Sequence, residues 1–391
     1  MAAQSGARLP ARLVLAVTTD LSYDQRMQRI CGSLAAAGYR VQLVGWQRPA
    51  SVPLVPATYA QHRLRGFFQR GKLFYLEYNL RLLLYLLGER ASLWACADLD
   101  AALPTWLRAR LGGQPFAYDA HELFTDTPEV VGRPAVQRAW RWVENFIVPR
   151  AQLRYTVGPA LAQLFEARHP GYPFAVVRNV PVGEAIAETA APGQDLGPAP
   201  GPRAAWPATL LYQGALNAGR GLEALLATLP QVSARLVVCG EGDLSAPLRQ
   251  QAAALGLLAS GQVEFRGYVL PAELRRLTAQ ATVGIMLLEN RGLSYYYSLA
   301  NKFFDYVQAG IPQLCIDFPE YRALCQQHPV AELVADLAPA TLAAALGRLL
   351  PGGQPGAHYQ QLAAACRQAR REWAWQHEAQ ALLELYKQAL A

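Results

Sequence analysis

The sequence predicts an α/β protein with two doubly wound, Rossmann-like parallel sheets that face each other across a cleft. Three observations support this fold class. The chain of 391 residues is long enough for about two or three domains. Short β-branched runs alternate with helix-compatible stretches in two separate blocks. A stretch rich in Pro, Gly and Ala, 181–207, separates the blocks and predicts a linker.

The first block opens with a βαβ unit. The run RLVLAV at 12–17 predicts a strand, residues 25–38 predict a helix that ends on glycine, and VQLVGW at 41–46 predicts the next strand. Further short strands are predicted at 93–97, 116–119 and 154–157. Together these elements predict an N-terminal domain over 1–180.

The second block repeats this alternation after the linker. Strands are predicted at 209–214, 235–240, 263–269, 282–288 and 311–316. They predict a C-terminal domain over 208–370. The helical stretch 357–390 carries Trp373 and Trp375, whose large apolar surfaces need a partner. We therefore expect this stretch to break and to pack across both domains, with 371–391 returning to the N-terminal domain.

Composition excludes several classes of protein. With 52% hydrophobic and 17% charged residues, the chain is too apolar for disorder. Its formal net charge of +7 favours contact with anions such as phosphate groups and anionic lipid heads. Only Lys72, Lys302 and Lys387 among the 36 basic residues are lysines, so each lysine is a candidate for a particular role.

Cysteine usage and hydropathy predict a cytoplasmic protein. The six cysteines stand far apart without a CxxC pair, which predicts buried free thiols in a reducing compartment. The apolar run at 13–17 is too short for a signal peptide, and polar residues interrupt the run at 73–87. No membrane-spanning segment is therefore expected.

Two common phosphate-binding motifs do not occur in the sequence. It contains neither GxxxxGK[ST] nor a GxGxxG that opens a helix after the first strand, which disfavours P-loop NTPases and nicotinamide dehydrogenases. After the first strand, Asp24 and Arg26 instead lead from a polar loop into a helix. They suit either a hydroxylated or anionic ligand or an ordinary capping turn.

The loop after the first strand of the second block suits a diphosphate. Gly214, Gly219 and Gly221 allow backbone amides to approach a ligand, and Arg220 adds a cation near the start of a helix. An ordinary glycine-rich turn is the alternative interpretation.

The segment 294–312 carries the densest polar cluster. Ser298 is predicted to cap a helix whose first turns hold Asn301, Lys302 and Asp305. An amide, a cation and a carboxylate near the positive end of a helix suit a phosphate and two ribose hydroxyls. The alternative is an amphipathic helix with a surface lysine.

The end of the strand at 116–119 carries a third cluster. Asp119, His121 and Glu122 follow one another at its carboxyl edge, which predicts a substrate-binding site on the cleft side. A metal site is disfavoured because no second His or Cys lies at ligand spacing.

Taken in order, these segments resemble the family 4 glycosyltransferases of the GT-B fold. The resemblance is carried by YDQRMQRICGSLAAAGYRV, YDAHELFTDTPEV and VVRNVP in the first half, and by YQGALNAGRGLEALL, VVCGEGDL and SLANKFFDYVQAGIP in the second. It implies a retaining, metal-independent sugar transfer that needs no cofactor. The donor, a UDP- or GDP-sugar, would bind the C-terminal domain, and a glycan or lipid-linked acceptor would bind the N-terminal domain.

The resemblance also implies roles for individual residues. His121 would lie beside the transferred sugar, Arg220 would hold the diphosphate, and Lys302 would add a second cation. The implied donor-binding residues are Gly214, Gly240, Glu241, Gly242, Tyr268, Val269, Tyr297, Asn301 and Asp305. The implied acceptor-side residues are Asp24, Arg26, Asp119 and Glu122.

Two positions depart from the family pattern. Asp305 matches the second acid of the family's E-x7-E pattern, but Tyr297 occupies the position of the first acid. Ala215 replaces the usual Arg of a Gly-Arg pair. Lys302 or Glu289 would compensate for both departures at the contacts to the donor sugar. Two alternatives therefore stay open, a nucleotide-sugar epimerase on the same fold and a non-catalytic nucleotide-sugar-binding protein.

Residues 62–90 interleave basic and aromatic side chains. Six Lys or Arg stand against two acids in this segment. The aromatic residues among them include Phe67, Phe68, Phe74, Tyr75 and Tyr78. The pattern suits peripheral contact with an anionic bilayer or a lipid-linked acceptor. The alternative is a basic outer face whose aromatic residues belong to the core. Nucleic-acid binding is not expected, because no such module is recognisable.

Overall fold

The computed structural model describes residues 10–49, 51–128, 130–183 and 206–391. Within these ranges the chain divides into two compact units. The N-terminal unit contains the chain up to Arg178 together with His377–Ala391, and the C-terminal unit contains Asn179–Gln376. Most of the predicted linker, 184–205, lies outside the described residues.

The described residues of the N-terminal unit form one seven-stranded parallel sheet. Its strands are β1 (Arg12–Ala16), β2 (Arg40–Trp46), β3 (Ala60–Leu64), β4 (Leu93–Ala97), β5 (Phe116–Ala120), β6 (Leu153–Thr156) and β7 (Ala175–Val176). Their spatial order is β3-β2-β1-β4-β5-β6-β7, so the direction of winding reverses beside β1. This order is that of a Rossmann-like fold, in which ligands bind beyond the carboxyl ends of the strands.

Helices connect the strands of this sheet. They are α1 (Gln25–Ala36), α2 (Gly71–Leu87), α3 (Ala102–Gly112), α4 (Pro134–Ile147) and α5 (Pro159–Arg168). Helix α1 begins after Asp24 because the Asp24 carboxylate accepts the N–H of Met27 at 3.0 Å. It buries Met27, Ile30 and Leu34, which recur at helical spacing on one face.

The described residues of the C-terminal unit form a six-stranded parallel sheet. Its strands are β8 (Thr209–Gln213), β9 (Arg235–Cys239), β10 (Val263–Gly267), β11 (Val283–Met286), β12 (Gln313–Ile316) and β13 (Ala331–Val334), in the spatial order β10-β9-β8-β11-β12-β13. The helices are α6 (Leu222–Thr228), α7 (Ser245–Ala254), α8 (Pro271–Gln280), α9 (Leu293–Tyr296), α10 (Asn301–Ala309), α11 (Pro319–Gln327), α12 (Pro339–Leu349), α13 (Ala357–Glu372) and α14 (Trp375–Leu390), the last of which continues into the N-terminal unit.

Helix α10 is fixed to the sheet through a buried tyrosine. The hydroxyl of Tyr306 donates to the carbonyl oxygen of Leu211 in β8 at 2.9 Å. A Cβ on Gly284 of β11 would lie 2.4 Å from the Tyr306 ring, so the glycine makes room for it. These contacts set the position of the polar residues at the start of α10.

Every strand predicted from the sequence is present, and the fold class is confirmed. Three strands are additional: β3, β7 and β13. Strand β3 has the sequence AQHRL, β7 contains two residues, and β13 has the sequence AELV. All three lie at sheet edges, where a strand does not need apolar side chains on both faces.

The predicted cap of α10 by Ser298 is wrong. Helix α10 begins at Asn301 with Ala300 at its N-cap. The hydroxyl of Ser298 instead donates to the carbonyl oxygen of Tyr295 at 2.8 Å, because the short helix α9 intervenes and its last turn takes the hydroxyl.

The last helical stretch breaks between α13 and α14, as predicted. Trp373, at the break, is buried. Helix α14 then bonds to residues of the N-terminal unit. The Glu378 carboxylate accepts the N–H of Arg178 at 2.8 Å, and the hydroxyls of Tyr155 and Tyr386 lie 3.2 Å apart.

All six cysteines are free, and five of them are buried, which confirms the predicted thiols. Among the described residues, no helix is both long enough and apolar enough to cross a membrane.

Candidate functional site

The carboxyl ends of β8, β9 and β10 meet at one edge of the C-terminal sheet. A Cβ on Gly240 would lie 1.9 Å from the carbonyl oxygen of Gly214, so the backbones of the two strand ends touch. The N–H of Gly240 donates to the carbonyl oxygen of Gly267 at 2.7 Å. The φ angles of Gly214 and Gly240 are 127° and 141°, values that side chains disfavour. Because these two residues have no side chains, a ligand can approach their backbone groups at this edge.

The loop after β9 adds an ion pair to the same edge. Glu241 and Arg249 lie 2.6 Å apart, and hydrogen bonds from Arg249 and Ser245 lower the pKa of Glu241 to about 2. The N–H of Gly242 donates to the hydroxyl of Ser245 at 2.9 Å. The carboxylate of Glu241, one of the predicted donor-binding residues, is therefore already paired with Arg249.

Two cations at this edge, Arg220 and Lys302, form no ion pair within the part of the chain that the structure describes. The guanidinium carbon of Arg220 lies 4.9 Å from the ring centroid of Tyr295, and its Nε is buried without a hydrogen bond. The Nζ of Lys302 lies 4.0 Å from the ring centroid of Tyr212, and the residue is only 8% exposed. Aromatic faces take the place of acidic partners at both cations.

Electrostatics make this pair of cations unfavourable without a bound anion. Burial holds the pKa of Lys302 well below its ordinary value, and the charge of Arg220 lowers it further. An anion at this position would restore the charged form of the lysine and would screen one cation from the other.

Asp305 lies one turn beyond Lys302 on α10. Its Oδ2 accepts the side-chain N–H of Gln213 at 2.8 Å, and the Gln213 oxygen accepts the hydroxyl of Thr278 at 2.9 Å. This chain of hydrogen bonds holds the half-buried Asp305 beside the end of β8.

The remaining predicted donor residues differ in accessibility. Tyr268 is 85% exposed, and Asn301 is also exposed. Val269 packs against the hydrophobic core. Tyr297 is half-buried at the end of α9, with its ring 5.1 Å from that of Tyr296.

Lys302 and Glu289, the two predicted candidates for compensation, differ in their contacts. The carbonyl oxygen of Ala215 accepts the hydroxyl of Tyr212 at 2.7 Å, and Lys302 lies over the ring of that same tyrosine. Glu289 is instead occupied by an ion pair of 2.5 Å with Arg291. A second cation therefore lies near the loop that lacks the usual arginine.

A second polar cluster lies at the carboxyl ends of β4 and β5 in the N-terminal unit. Asp98 follows β4, and its Oδ1 accepts the backbone N–H groups of His121 at 3.0 Å and Glu122 at 3.2 Å. Burial and the neighbouring carboxylates, Glu122 first, hold the pKa of Asp98 well above its ordinary value. Among the described residues, no group of three His, Cys, Asp or Glu is arranged to hold a metal ion.

Asp98 also has a strained backbone. Its φ is 58° and its ψ is 174°, and it is the single residue other than glycine with positive φ in the described ranges. Such strain concentrates at functional sites. Sequence reasoning missed Asp98, although it follows the apolar run LWACA in the way that His121 follows FAYDA.

His121 is a neutral imidazole at physiological pH. Burial, together with the charges of Arg26 and Arg29, lowers the pKa of this half-buried side chain to about 3. It can therefore donate one hydrogen bond and accept another without carrying charge.

The predicted acceptor-side residues Asp24, Arg26 and Asp119 have structural partners. Arg26 and Asp119 form a buried bidentate ion pair with distances of 2.9 and 2.8 Å, and they are 3% and 2% exposed. Arg26 also donates to the carbonyl oxygen of Val177 at 3.0 Å. Asp24 caps α1. The charged groups of these three residues are thus used inside the unit, and Glu122 is exposed. The acceptor-side role of all four residues stays a prediction.

Two Rossmann-like units, one of them with two cations at the carboxyl edge of its sheet, define a GT-B-type α/β protein. Residues 23–183 match the family described as glycosyl transferase 4-like domain, and residues 207–351 match the family described as glycosyl transferases group 1. The chain belongs to the family 4 glycosyltransferases of the GT-B fold, which confirms the resemblance. No curated protein matches it in sequence.

Solved structures share this fold. Sucrose-phosphate synthase from Thermosynechococcus elongatus is 17% identical with a TM-score of 0.73, and the match covers 97% of this chain and 98% of that chain. HepE from Anabaena in complex with UDP and glucose is 14% identical with a TM-score of 0.73, over 97% and 100% of the two chains. The lipopolysaccharide outer core galactosyltransferase WaaB is 12% identical with a TM-score of 0.63, over 97% and 98%.

Proposed function

We propose that this glycosyltransferase moves a sugar from a nucleotide diphosphate sugar to a glycan or lipid-linked acceptor, with retention of configuration and without a metal ion. The observation that carries the proposal is the pair Arg220 and Lys302, which lacks acidic partners among the described residues and lies at the edge formed by Gly214 and Gly240. Cations and backbone amides are the groups that stabilise a departing diphosphate.

A UDP-sugar is the first donor to test, with a GDP-sugar as the alternative. HepE, which shares the fold, was solved with UDP and with UDP-glucose. Beyond the two cations, the donor contacts would come from Gly214, Gly240, Glu241, Gly242, Tyr268, Val269, Tyr297, Asn301 and Asp305.

Leaving-group stabilisation would drive the transfer. The bond between the anomeric carbon and the diphosphate oxygen breaks, and its electron pair stays on the diphosphate. Arg220 and Lys302 would stabilise the charge that develops there. The acceptor hydroxyl then bonds to the same face of the sugar and passes its proton to the departing oxygen. This route needs no protein nucleophile.

His121 would orient the sugar. A neutral imidazole with a pKa of about 3 is a poor proton donor at pH 7, so its role is to hydrogen-bond a sugar hydroxyl. Asp98 accepts the backbone N–H of His121 and so holds the loop that carries it. Asp98 is therefore a positioning residue in this proposal.

Replacement of Arg220 tests the diphosphate site. Titration calorimetry of Arg220→Ala should show UDP affinity reduced by roughly 10- to 100-fold, because a charge-assisted contact is lost. Uridine affinity should change by less than about twofold, since the nucleoside carries no phosphate. Arg276→Ala is the matched control, because Arg276 is a surface residue paired with Glu273. Equal weakening of UDP and uridine would remove the phosphate role of Arg220.

Replacement of His121 tests the reaction. Incubated with a panel of nucleotide sugars, the wild-type protein should slowly release nucleotide, and His121→Ala should abolish that release while nucleotide affinity stays within a few fold. An epimerised sugar would support the epimerase instead. Tight binding without any turnover by the wild-type protein would support a non-catalytic binding protein.

A further inference from the structure

Helix α2 has apolar residues on two opposite faces. Phe74, Tyr78, Leu82 and Leu86 are buried against the N-terminal unit. On the opposite side, leucines spaced three or four residues apart form a stripe that is 50–68% exposed, which we call the leucine face: Leu73, Leu76, Leu80, Leu84 and Leu87. A single exposed leucine is ordinary, but a continuous stripe along about 20 Å of helix marks an interaction surface.

The loop before α2 extends this apolar surface and is held in place. Phe67 is 85% exposed and Phe68 is 43% exposed. The carboxylate of Glu77 on α2 accepts the backbone N–H groups of both phenylalanines at 2.9 Å. Arg81 donates to Glu77 at 2.8 Å, and its guanidinium carbon lies 5.5 Å from the ring centroid of Phe67. The exposed rings are thus anchored to the helix.

Within residues 62–90, the charged side chains that are exposed are all cationic. Both of its acids are paired, Glu77 with Arg81 and Glu89 with Arg12. The exposed charged residues of the segment are all cations, namely Arg65, Arg70, Lys72 and Arg90. An apolar stripe with cations around it complements a surface that offers both hydrocarbon and negative charge.

We propose that the leucine face, with Phe67 and Phe68, docks on the surface of a lipid bilayer that contains anionic lipids. The buried face of α2 packs on protein, so the helix would lie in the plane of the membrane interface with its leucines toward the acyl chains. Arg65, Arg70, Lys72 and Arg90 would lie near the lipid phosphates.

A second copy of the chain fits this surface less well. Self-association through the leucine face would bring the same cations of both copies together, and like charges at an interface are costly. An anionic bilayer presents no such conflict.

Sedimentation with vesicles tests the proposal. The full chain should sediment with vesicles of equal parts phosphatidylglycerol and phosphatidylcholine, and much less with pure phosphatidylcholine. The double variant Leu80→Gln, Leu84→Gln should bind the mixed vesicles about tenfold less tightly or worse. The matched control is Leu111→Gln, Leu258→Gln, which changes two exposed leucines outside α2 and should bind like the wild-type chain.

Arg70→Gln together with Lys72→Gln should also weaken binding, and higher salt should mimic that effect. Equal binding by the wild-type chain and the Leu80, Leu84 variant would overturn the proposal. Equal binding to both vesicle types would overturn its electrostatic part. Failure of the wild-type chain to bind vesicles, with a dimer in ultracentrifugation that the leucine variant loses, would assign the face to a second copy. These readouts do not involve sugar transfer.

Discussion

Lys302 is energetically unfavourable in the unliganded protein. A lysine that is 8% exposed, without an ion pair in the described chain and close to another cation, costs free energy of folding. Such a cost is expected where the missing partner is a ligand. Stability and function should therefore respond in opposite directions when this charge is removed.

We expect Lys302→Met to raise the free energy of unfolding of the nucleotide-free protein by about 1–3 kcal/mol, because an apolar side chain replaces a buried cation. The same variant should bind UDP roughly 10- to 100-fold more weakly. Denaturant unfolding and titration calorimetry measure the two effects.

Lys387→Met is the control, because the Lys387 side chain is 73% exposed and only loosely paired with Glu384. It should change neither quantity by more than about 0.5 kcal/mol. A destabilised Lys302→Met variant would show that the lysine contributes to folding and not to anion binding alone.

His121 makes stability depend on pH. Its pKa is lowered from 6.5 to about 3 in the folded state, so between these values the unfolded chain binds a proton that the folded chain does not. Stability from this residue is therefore complete above pH 6.5 and falls as the pH falls toward 3. At pH 5 the loss should be about 1 kcal/mol after allowance for solvent screening.

His121→Asn should remove this component. The difference in unfolding free energy between pH 7 and pH 5 should be smaller in the variant than in the wild-type protein, measured by denaturant unfolding at both values. An unchanged difference would mean that other groups account for the acid sensitivity.

At the scale of elements, the contact between the ends of β8 and β9 depends on a glycine. A Cβ on Gly240 would collide with the carbonyl oxygen of Gly214 at 1.9 Å, and the φ of Gly240 is 141°. Gly240→Ala should therefore destabilise the protein by about 3 kcal/mol or more, since a backbone shift is required.

The matched control is Gly347→Ala in α12, where a Cβ would meet nothing within 4 Å. This change should stabilise the protein by about 0.5–1 kcal/mol, because alanine favours a helix interior. Thermal unfolding of both variants checks the pair. Similar effects of the two substitutions would contradict the close backbone approach at Gly240.

For the whole molecule, we expect a core substitution in the N-terminal unit and UDP binding to the C-terminal unit to change hydrogen-exchange protection in different strands. Helix α14 belongs mostly to the N-terminal unit, and its Leu382 is fully buried. Leu382→Ala should lower hydrogen-exchange protection in β1, β2, β4 and β5, because a core cavity costs about 2–5 kcal/mol. Excess UDP should instead raise protection in β8, β9 and α10.

Hydrogen exchange read by mass spectrometry separates these responses. If UDP raised hydrogen-exchange protection in the N-terminal strands alone, the nucleotide would bind the N-terminal unit and the proposed donor site would be wrong.

Much of the fold could be predicted from the sequence. Central parallel strands are buried on both faces, so they appear as short apolar runs such as RLVLA and RLVVC. Polar residues that follow these strands, including Arg220 and His121, could be singled out because they lie close to a predicted strand in the sequence. Edge strand β3 could not, because its sequence AQHRL lacks that apolar signal.

The order of strands and helices along the chain, and the residues that follow each strand, could be inferred from the sequence alone. Which charges are paired depends on the folded structure. Arg26 and Asp119 are 93 residues apart and neutralise each other, whereas Lys302 forms no ion pair with any acid of the described residues. The same holds for α2, which carries apolar residues on both its buried and its exposed face. Periodicity follows from neighbours along the chain, but pairing and burial depend on residues that only folding brings together.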